Sequence, residues 1–229
     1  MYRILIALLF GCAVLTALVL YRPLTLPEIN LTGWFSSEPQ SAQLVLFTGD
    51  VMLARAVERW VVRDETHHVF DGVMPLLDLY QQTVINFEAA IPERHQPTPD
   101  FGMRFSVTPT MLSQLQPHVD VASLSNNHSY DFGINGYQHT QAALEMYDVA
   151  PVGHPEIVTP AYVLGTEPSV ALLALNQLGT PLPSEELVTV VEEATANADI
   201  VVAYVHWGNE YTTDVTSAQV ALATQLSAL

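Results

Sequence analysis

Short apolar runs rich in Val, Leu and Ile alternate with longer amphipathic stretches from about residue 42 onwards. Short runs of this kind are typical of strands that are buried on both faces, and apolar residues three and four positions apart indicate helices. The alternation therefore predicts an α/β fold built from βαβ units around a largely buried sheet. The predicted strands are 44–48, 84–87, 119–124, 169–175 and 200–205. The predicted helices are 54–62, 110–116, 136–147, 185–196 and 217–228.

The first part of the chain has a different pattern. Residues 4–20 form an uncharged apolar run between Arg3 and Arg22. Its length is at the lower end of what crosses a bilayer, so we interpret it as a single transmembrane helix. A cleaved signal peptide is the alternative, because a short apolar run after a basic residue is also typical of that segment. Under either interpretation the rest of the chain lies outside the cytoplasm, and under the first it stays attached to the cell membrane.

Prolines and polar residues separate this segment from the rest. Residues 23–41 contain three prolines and no clear periodicity, which predicts a linker. We therefore expect a membrane segment at 1–22, a linker at 23–41 and a folded domain at 42–229. One domain agrees with the usual size of about 100 to 200 residues.

Composition and charge restrict the chemistry. Cys12 is the only cysteine and lies in the apolar run, so the folded part has no thiol for a disulfide, a zinc-cysteine site or thiol catalysis. A metal would be held by oxygen and nitrogen. The 24 acidic residues face only seven basic ones, giving a net charge of −17, which argues against nucleic acid as a partner. A polyanionic substrate would need a bound cation to offset the repulsion.

Side chains of metal-binding types follow four of the five predicted strands at the point where each strand ends. They are Asp50, Glu88, Asn127 with His128, and His206. Ligands of open α/β sheets bind outside the carboxyl ends of the strands. Together these side chains offer the mixed oxygen and nitrogen ligands of a divalent metal site.

Each of these residues also has a structural explanation. Asp50 after a glycine suits a turn or a helix N-cap, and Asn127 suits a turn. A single histidine at a strand end, such as His206, is commonly buried and hydrogen-bonded. Glu88 is harder to explain in this way, because a carboxylate at the end of an apolar strand is unfavourable without a partner. The recurrence of such residues at one place in the predicted sheet favours a common site.

Four segments also carry a family resemblance. They read LFTGDVMLAR at 46–55, VINFE at 84–88, SNNHSYDFG at 125–133 and HWGNEY at 206–211. In this order and spacing they resemble the CapA family of capsule synthesis proteins, with Phe87 where the family usually has leucine. The resemblance covers about residue 42 to the last residue. It implies a metallophosphatase-like layered β-sheet core with flanking helices, similar to the calcineurin-like phosphoesterases.

The resemblance implies a role for each matching residue. Asp50, Glu88, Asn127 and His206 would be metal ligands, with Glu88 at the position of a bridging carboxylate. His128 would be the general acid or would contact a phosphoryl oxygen. The ligand types suit Mn, Fe and Zn alike, so the identity of the divalent metal stays open.

Arg55 and Arg104 are the candidates for contacts with an anion in a chain with few cations. A solvated surface position is the alternative for both. Members of the family also continue to a Gly-His-x-Pro-His segment that supplies further ligands. The resemblance therefore implies that the domain at 42–229 is incomplete at its C-terminus.

Two functions follow from the resemblance. In the first, the chain is an extracytoplasmic, membrane-anchored capsule (poly-γ-glutamate) biosynthesis protein, whose metal bridges the acidic domain to an acidic polymer and whose partners include other capsule synthesis proteins. In the second, it is a two-metal hydrolase acting on a phosphoester, or a hydrolase or transferase acting on the amide bonds of the polymer. There the metals would activate a water molecule and His128 would protonate the leaving group.

Overall fold

The computed structural model describes residues 43–63, 68–178 and 183–229. The predicted membrane segment at 1–22 and the predicted linker at 23–41 lie outside these ranges. Within them, no helix combines the length and the apolar character that a membrane crossing needs. The described part of the chain is a mixed α/β fold with two sheets.

The first sheet has four parallel strands, and the second has three strands. The first contains, in spatial order, β1 (Val45–Val51), β2 (Gln82–Phe87), β3 (Val121–Ser123) and β4 (Ala150–Val152). The second contains β5 (Tyr162–Leu164), β6 (Val170–Asn176) and β7 (Ile200–His206). In it, β5 is antiparallel to β6, whereas β6 and β7 are parallel.

Helices cover the outer faces of both sheets. They are α1 (Ala56–Arg63), α2 (Met74–Leu77), a 3₁₀ helix (Pro109–Gln114), α3 (Gly133–Met146), α4 (Ser184–Asn197) and α5 (Ser217–Ala228). The last of these begins at a reciprocal capping box, in which Thr216 and Gln219 satisfy each other's backbone N–H groups. Capping of this kind defines where a helix starts from local sequence alone.

Three apolar cores divide the described part of the chain into four layers. The inner faces of the two sheets pack together through residues such as Val84 and Leu172. Ile85 and its neighbours pack beneath α1, α3 and the 3₁₀ helix. Leu173 packs beneath α4 and α5. The order of layers is therefore helix, sheet, sheet, helix, which agrees with the layered β-sheet core and flanking helices that the resemblance implied.

The prediction of one buried sheet is wrong in one respect, because the strands form two sheets. The five predicted strands and the helices around them are present, with shifted ends, and 110–116 is largely a 3₁₀ helix. Two short strands, β4 and β5, were not predicted. They are three residues each, and β4 contains Pro151, which cannot donate to a ladder. The chain passes from the first sheet to the second in this stretch.

Strand periodicity determines which side chains reach the space between the sheets. On β2, Val84 belongs to the core between the sheets and Ile85 to the core under the helices. Because successive side chains alternate, Asn86 faces the second sheet. On β7, Tyr204 packs against the same inner core, and His206 lies two residues further along the same face.

An irregularity in β1 brings Asp50 to the same place. Phe47 pairs with Val84 and Asp50 pairs with Asn86, so three steps on β1 run beside two on β2. One extra residue in one strand is a β-bulge, and bulges commonly redirect a side chain next to a functional site. The Tyr204 hydroxyl of the second sheet donates to the carbonyl oxygen of Thr48 in this bulge, at 2.7 Å.

Candidate functional site

The four predicted metal ligands and the predicted general acid, His128, lie at one edge of the fold, at the carboxyl ends of β1, β2, β3 and β7. Asp50 is in β1, Glu88 follows β2, Asn127 and His128 follow β3, and His206 ends β7. Three of these strands belong to the first sheet and one to the second. The site is therefore built where the two sheets meet.

His206 is the residue that joins the two sheets here. Its Nδ1 lies 3.3 Å from Asp50 Oδ1. Its Nε2 lies 2.8 Å from Asn127 Oδ1. Both ring nitrogens are thus in contact with other predicted ligands, and the imidazole bridges the residues that follow β1 and β3.

Asn86 orients the Asp50 carboxylate. Its Nδ2 donates to Asp50 Oδ1 at 2.7 Å and lies 3.2 Å from His206 Nδ1. Its Oδ1 accepts a hydrogen bond from Asn126 Nδ2 at 3.0 Å, which fixes which end of the Asn86 amide faces the site. Asn86 is buried, so this orientation does not depend on solvent.

Asn126 builds the loop that carries Asn127 and His128. It is fully buried, and its Nδ2 also donates to the carbonyl oxygen of Phe87. Its Oδ1 accepts from the backbone N–H groups of His128 and Ser129, each at 3.0 Å. The hydrogen bonds of this side chain therefore stabilise a turn and connect the loop after β3 to the end of β2.

The position of His128 is fixed by an aspartate and an aromatic ring. His128 Nδ1 lies 2.8 Å from Asp131 Oδ2, and the same oxygen accepts from the backbone N–H of Phe105 at 2.6 Å. The imidazole stacks on the ring of Phe105, with centroids 3.9 Å apart and planes at 22°. Because Nδ1 faces Asp131, the other ring nitrogen, Nε2, faces Glu88 Oε1, 3.7 Å away.

Glu88 lies close to a second carboxylate, that of Asp50. Burial raises the pKa of this carboxyl, and the charge of Asp50 raises it further. His206 and His128 lower the pKa and so oppose the shift only in part, while Glu210 adds to it. A buried carboxyl beside a second carboxylate favours either protonation or a bound cation.

Tyr204 closes the inner side of the site. Burial is the largest cause of the raised pKa of its phenol, and the charge of Asp50 is the next. The hydroxyl therefore stays protonated at neutral pH and remains a hydrogen-bond donor to Thr48.

The donor atoms suit a divalent cation, although they do not form a ready-made cage. In the described ranges no three His, Cys, Asp or Glu side chains are grouped so that they could hold a metal ion. Two carboxylates, an imidazole and an amide oxygen are nevertheless the ligand types of such a site. In this structure His206 contacts both Asp50 and Asn127, so a cation would have to replace these two contacts.

Arg55 and Arg104, the predicted anion contacts, contact Phe105 and Asp131, the two residues that hold His128 in position. Arg55 donates from Nε and Nη2 to the carbonyl oxygen of Gly102 and lies over the ring of Phe105, with Cζ 4.5 Å from the ring centroid. Arg104 donates from Nε to the carbonyl oxygen of Asp131 and lies over Phe132. Both guanidinium groups thus make contacts that shape the surroundings of His128.

Sequence reasoning missed four side chains that organise this site. Asn86, Asn126 and Asp131 lie inside segments that carried the family resemblance, where a polar residue within four positions of a predicted ligand was the available signal. Phe105 lies in a loop without any pattern and had no signal in the sequence. Its role depends on the arrival of His128 and Arg55 from elsewhere in the chain.

Comparisons with known proteins match most of the described part of the chain to one family. A protein-family model described as bacterial capsule synthesis protein PGA_cap matches residues 44–229. Over 201 residues the chain is 24% identical to the PGA biosynthesis protein CapA of Bacillus subtilis (strain 168), which covers 79% of this chain and 53% of that protein. Over 203 residues it is 28% identical to the capsule biosynthesis protein CapA of Bacillus anthracis, which covers 76% of this chain and 49% of that protein. The chain spans about half the length of the curated relatives it matches.

Proposed function

The chain belongs to the bacterial capsule synthesis protein family PGA_cap, and from this we propose that it acts in capsule (poly-γ-glutamate) biosynthesis through a divalent-cation site. The ligands would be Asp50, Glu88, Asn127 and His206. One observation carries the proposal: side chains from both sheets converge at one edge, with His206 in contact with Asp50 and Asn127. The names of the two relatives, which refer to PGA and capsule biosynthesis, support the same role.

Electrostatics explains why such a protein would need a cation. The chain carries a net charge of −17, and Glu88 and Asp50 concentrate negative charge at the site. An anionic polymer would be repelled by this surface. A bound divalent cation would supply positive charge that both the site and the carboxylates of a polymer can share.

Four residues would bind that cation, and a fifth, Asn86, would orient one of them. Asp50 and Glu88 would provide anionic oxygens, and Asn86 already points the Asp50 carboxylate into the site. Asn127 and His206 would provide a neutral oxygen and a nitrogen. Outer hydrogen bonds such as that of Asn86 commonly determine how well a metal ligand is oriented.

We also propose that residues 4–20 anchor the chain in the cell membrane, with the folded part on the extracytoplasmic side. The uncharged apolar run between two arginines supports this placement. Other capsule synthesis proteins at the same membrane are the proposed partners.

A two-metal hydrolase is the second candidate, and the pair formed by His128 and Asp131 favours it. Asp131 lies against His128 Nδ1, and in the doubly protonated imidazole Nε2 would carry the proton that passes to a leaving group. In this function bound cations would supply Lewis acidity and lower the pKa of a water molecule. The substrate would be a phosphoester or an amide bond of the polymer.

A titration of the full 229-residue chain with Mn²⁺ tests the cation site. The chain is purified in detergent because of its N-terminal apolar run, and binding is followed by calorimetry. We expect binding to weaken more than about tenfold in Asp50→Asn and in His206→Ala. The matched control is Asp148→Asn, which removes an exposed carboxylate just before β4, at the opposite edge of the sheet. Equal affinity in all four proteins would refute the site.

A second assay separates the two functions. Binding of poly-γ-glutamate is compared with and without Mn²⁺, and turnover of a generic phosphodiester is measured with Mn²⁺. Cation-dependent polymer binding without turnover supports the bridging role. Turnover that is lost in Asp50→Asn and His206→Ala supports the hydrolase, whereas turnover indifferent to both substitutions removes it.

A further inference from the structure

Arg55 has a backbone conformation that few non-glycine residues adopt. Its φ is +58°, in the left-handed region. Side chains other than glycine, asparagine and aspartate are disfavoured there, and such residues persist only where surrounding contacts hold them. Arg55 stands between the buried Ala54 and the start of α1, close to Asp50 in sequence. The unusual backbone therefore calls for an explanation from the contacts of its side chain.

The Arg55 side chain clamps a loop. Its Nε and Nη2 both donate to the carbonyl oxygen of Gly102, and Nη2 also lies 3.3 Å from the sulfur of Met103. One turn further along, Arg59 pairs with Asp100 in the same loop. Two arginines spaced by four residues thus hold the loop at 99–104 against the beginning of α1.

Phe105, at the end of this loop, lies between a cation and an imidazole. The Arg55 guanidinium is 4.5 Å from the ring centroid, and the His128 ring is 3.9 Å from it. Both groups therefore lie in contact with the same ring. Phe105 is 5% exposed and His128 is 5% exposed, so water does not separate the three groups. They form a stack of guanidinium, phenyl and imidazole, which we call the Arg55 stack.

The stack and Asp131 restrict different movements of His128. The Asp131 carboxylate holds Nδ1 and so determines the tautomer and the direction of the ring edge. The face of Phe105 prevents the imidazole plane from turning about its side-chain bond. The same Asp131 oxygen accepts the Phe105 N–H, so both restraints share one anchor. Together they keep Nε2 directed at Glu88.

We propose that Arg55 is a positioning residue for His128 that acts through Phe105, and not a contact for an anionic substrate. The proposal rests on the proposed function in one respect, since it takes His128 as a group that acts at the site. The donors of Arg55 that face the loop are already used by Gly102, and one face of the guanidinium is covered by Phe105. Both facts favour a structural clamp over a ligand contact.

A spectroscopic test does not depend on activity. In the full chain, with histidines ¹³C-labelled at Cε1, the His128 signal is assigned with His128→Gln and carries the ring-current shift of Phe105. We expect Arg55→Met to move this signal towards the position found in Phe105→Leu. The double variant should move it no further than Phe105→Leu alone, because Arg55 acts through the ring. An unchanged His128 signal in Arg55→Met would overturn the proposal.

Matched variants separate the stack from a general loosening of the loop. Arg59→Met removes the neighbouring loop contact with Asp100, and Arg94→Met removes an exposed charge elsewhere. Neither should move the His128 signal, and an equal movement in Arg59→Met would show that a loose loop suffices and overturn the proposal. Arg55→Lys keeps a cation over the ring and should restore most of the shift. If Arg55→Met does not fold, Arg55→Gln takes its place, because it keeps an N–H donor for Gly102 but no cation over the ring, and an unchanged His128 signal in it would overturn the proposal.

If the wild-type chain turns over a phosphodiester, enzyme kinetics provides an independent test of the role of Arg55. Misplacement of a reacting group lowers kcat, so we expect Arg55→Met to lower kcat roughly 10- to 100-fold with little change in KM. A rise in KM at constant kcat would indicate an anion contact and overturn the proposal. If the wild-type chain shows no turnover, the hydrolase function is refuted. The NMR spectra still test the positioning role of Arg55.

Discussion

Asp50 Oδ1 lies 3.3 Å from His206 Nδ1, and the two residues come from different sheets. The β-bulge brings Asp50 to the inner face of β1, and strand alternation brings His206 to the inner face of β7. Neither sheet alone contains the site. The predictions below address the side chains that hold this arrangement in place.

Asn86→Ala should weaken Mn²⁺ binding by about 10- to 100-fold, because Asn86 orients the Asp50 carboxylate without being a predicted ligand itself. Calorimetric titration of the full chain measures the change. The control is Asn197→Ala, which removes an amide on an exposed part of α4. If Asn86→Ala binds the metal as tightly as Asn197→Ala, the hydrogen bond to Asp50 does not matter for the cation.

Leu172→Ala should lower the free energy of unfolding by about 2–5 kcal/mol, because Leu172 is 1% exposed in the core between the two sheets. Val163→Ala is the control on the adjacent strand β5, where the side chain is 51% exposed, and we expect a change within about 0.5 kcal/mol. Urea denaturation compares the two. A similar small effect for both would argue against packing between the sheets.

Gly153→Ala should destabilise the chain strongly. Gly153 has φ +79°, and an added Cβ would lie 2.1 Å from Ser125 Oγ and 2.9 Å from the Cβ of Ala174. Strain and overpacking each cost about 1–3 kcal/mol. Gly165→Ala is the control, because nothing lies within 4 Å of its added Cβ and its φ is not in the left-handed range. Thermal unfolding of both variants measures the difference, and equal melting temperatures would contradict the close approach of β4 to β6.

Ser169→Ala should raise the pKa of Asp199. The hydroxyl and the backbone N–H of Ser169 both donate to Asp199 Oδ2, and these bonds hold the pKa of Asp199 below its ordinary value of 3.8. A carboxyl whose pKa is lower in the folded than in the unfolded chain stabilises the fold at pH values above its unfolded pKa. This contribution is lost as the pH falls through the folded pKa. We therefore expect Ser169→Ala to show less loss of stability on acidification below about pH 4.

Carboxyl NMR of Asp199 measures its pKa, and melting temperatures between about pH 4 and pH 2.5 measure the stability effect. Thr189→Ala, on an exposed part of α4, serves as the control for a lost hydroxyl. An Asp199 pKa that does not move in Ser169→Ala would contradict the bonding of Ser169 to this carboxylate.

The sequence predicted the elements of the fold better than their assembly. Apolar runs such as that of β6 are long and uninterrupted, so their strands could be recognised from pattern alone. The division into two sheets could not, because it depends on β4 and β5, which are too short to leave a periodic signal. The convergence of Asp50 and His206 was predicted from their places at strand ends, and the structure confirms that they meet.

The immediate surroundings of the site were harder to predict for a different reason. The charge of Arg55 suggested an anion contact, but charge alone does not reveal that Gly102 and Phe105 use the guanidinium. Phe105 reads in sequence as an ordinary loop aromatic. Its contact with His128 exists only when two distant segments are folded together, and this kind of relationship leaves no local pattern. The metal roles of Asp50, Glu88, Asn127 and His206 stay predictions until binding is measured.

The position of the site between two layers has a thermodynamic consequence. A ligand held by His206 and by residues of the first sheet would act as a cross-link between the halves of the molecule. Its binding free energy would then add to the free energy of unfolding, by about 2.7 kcal/mol at a free concentration of 100 Kd. The melting temperature would then report the occupancy of the cation site, and removal of the cation by a chelator would destabilise both sheets together.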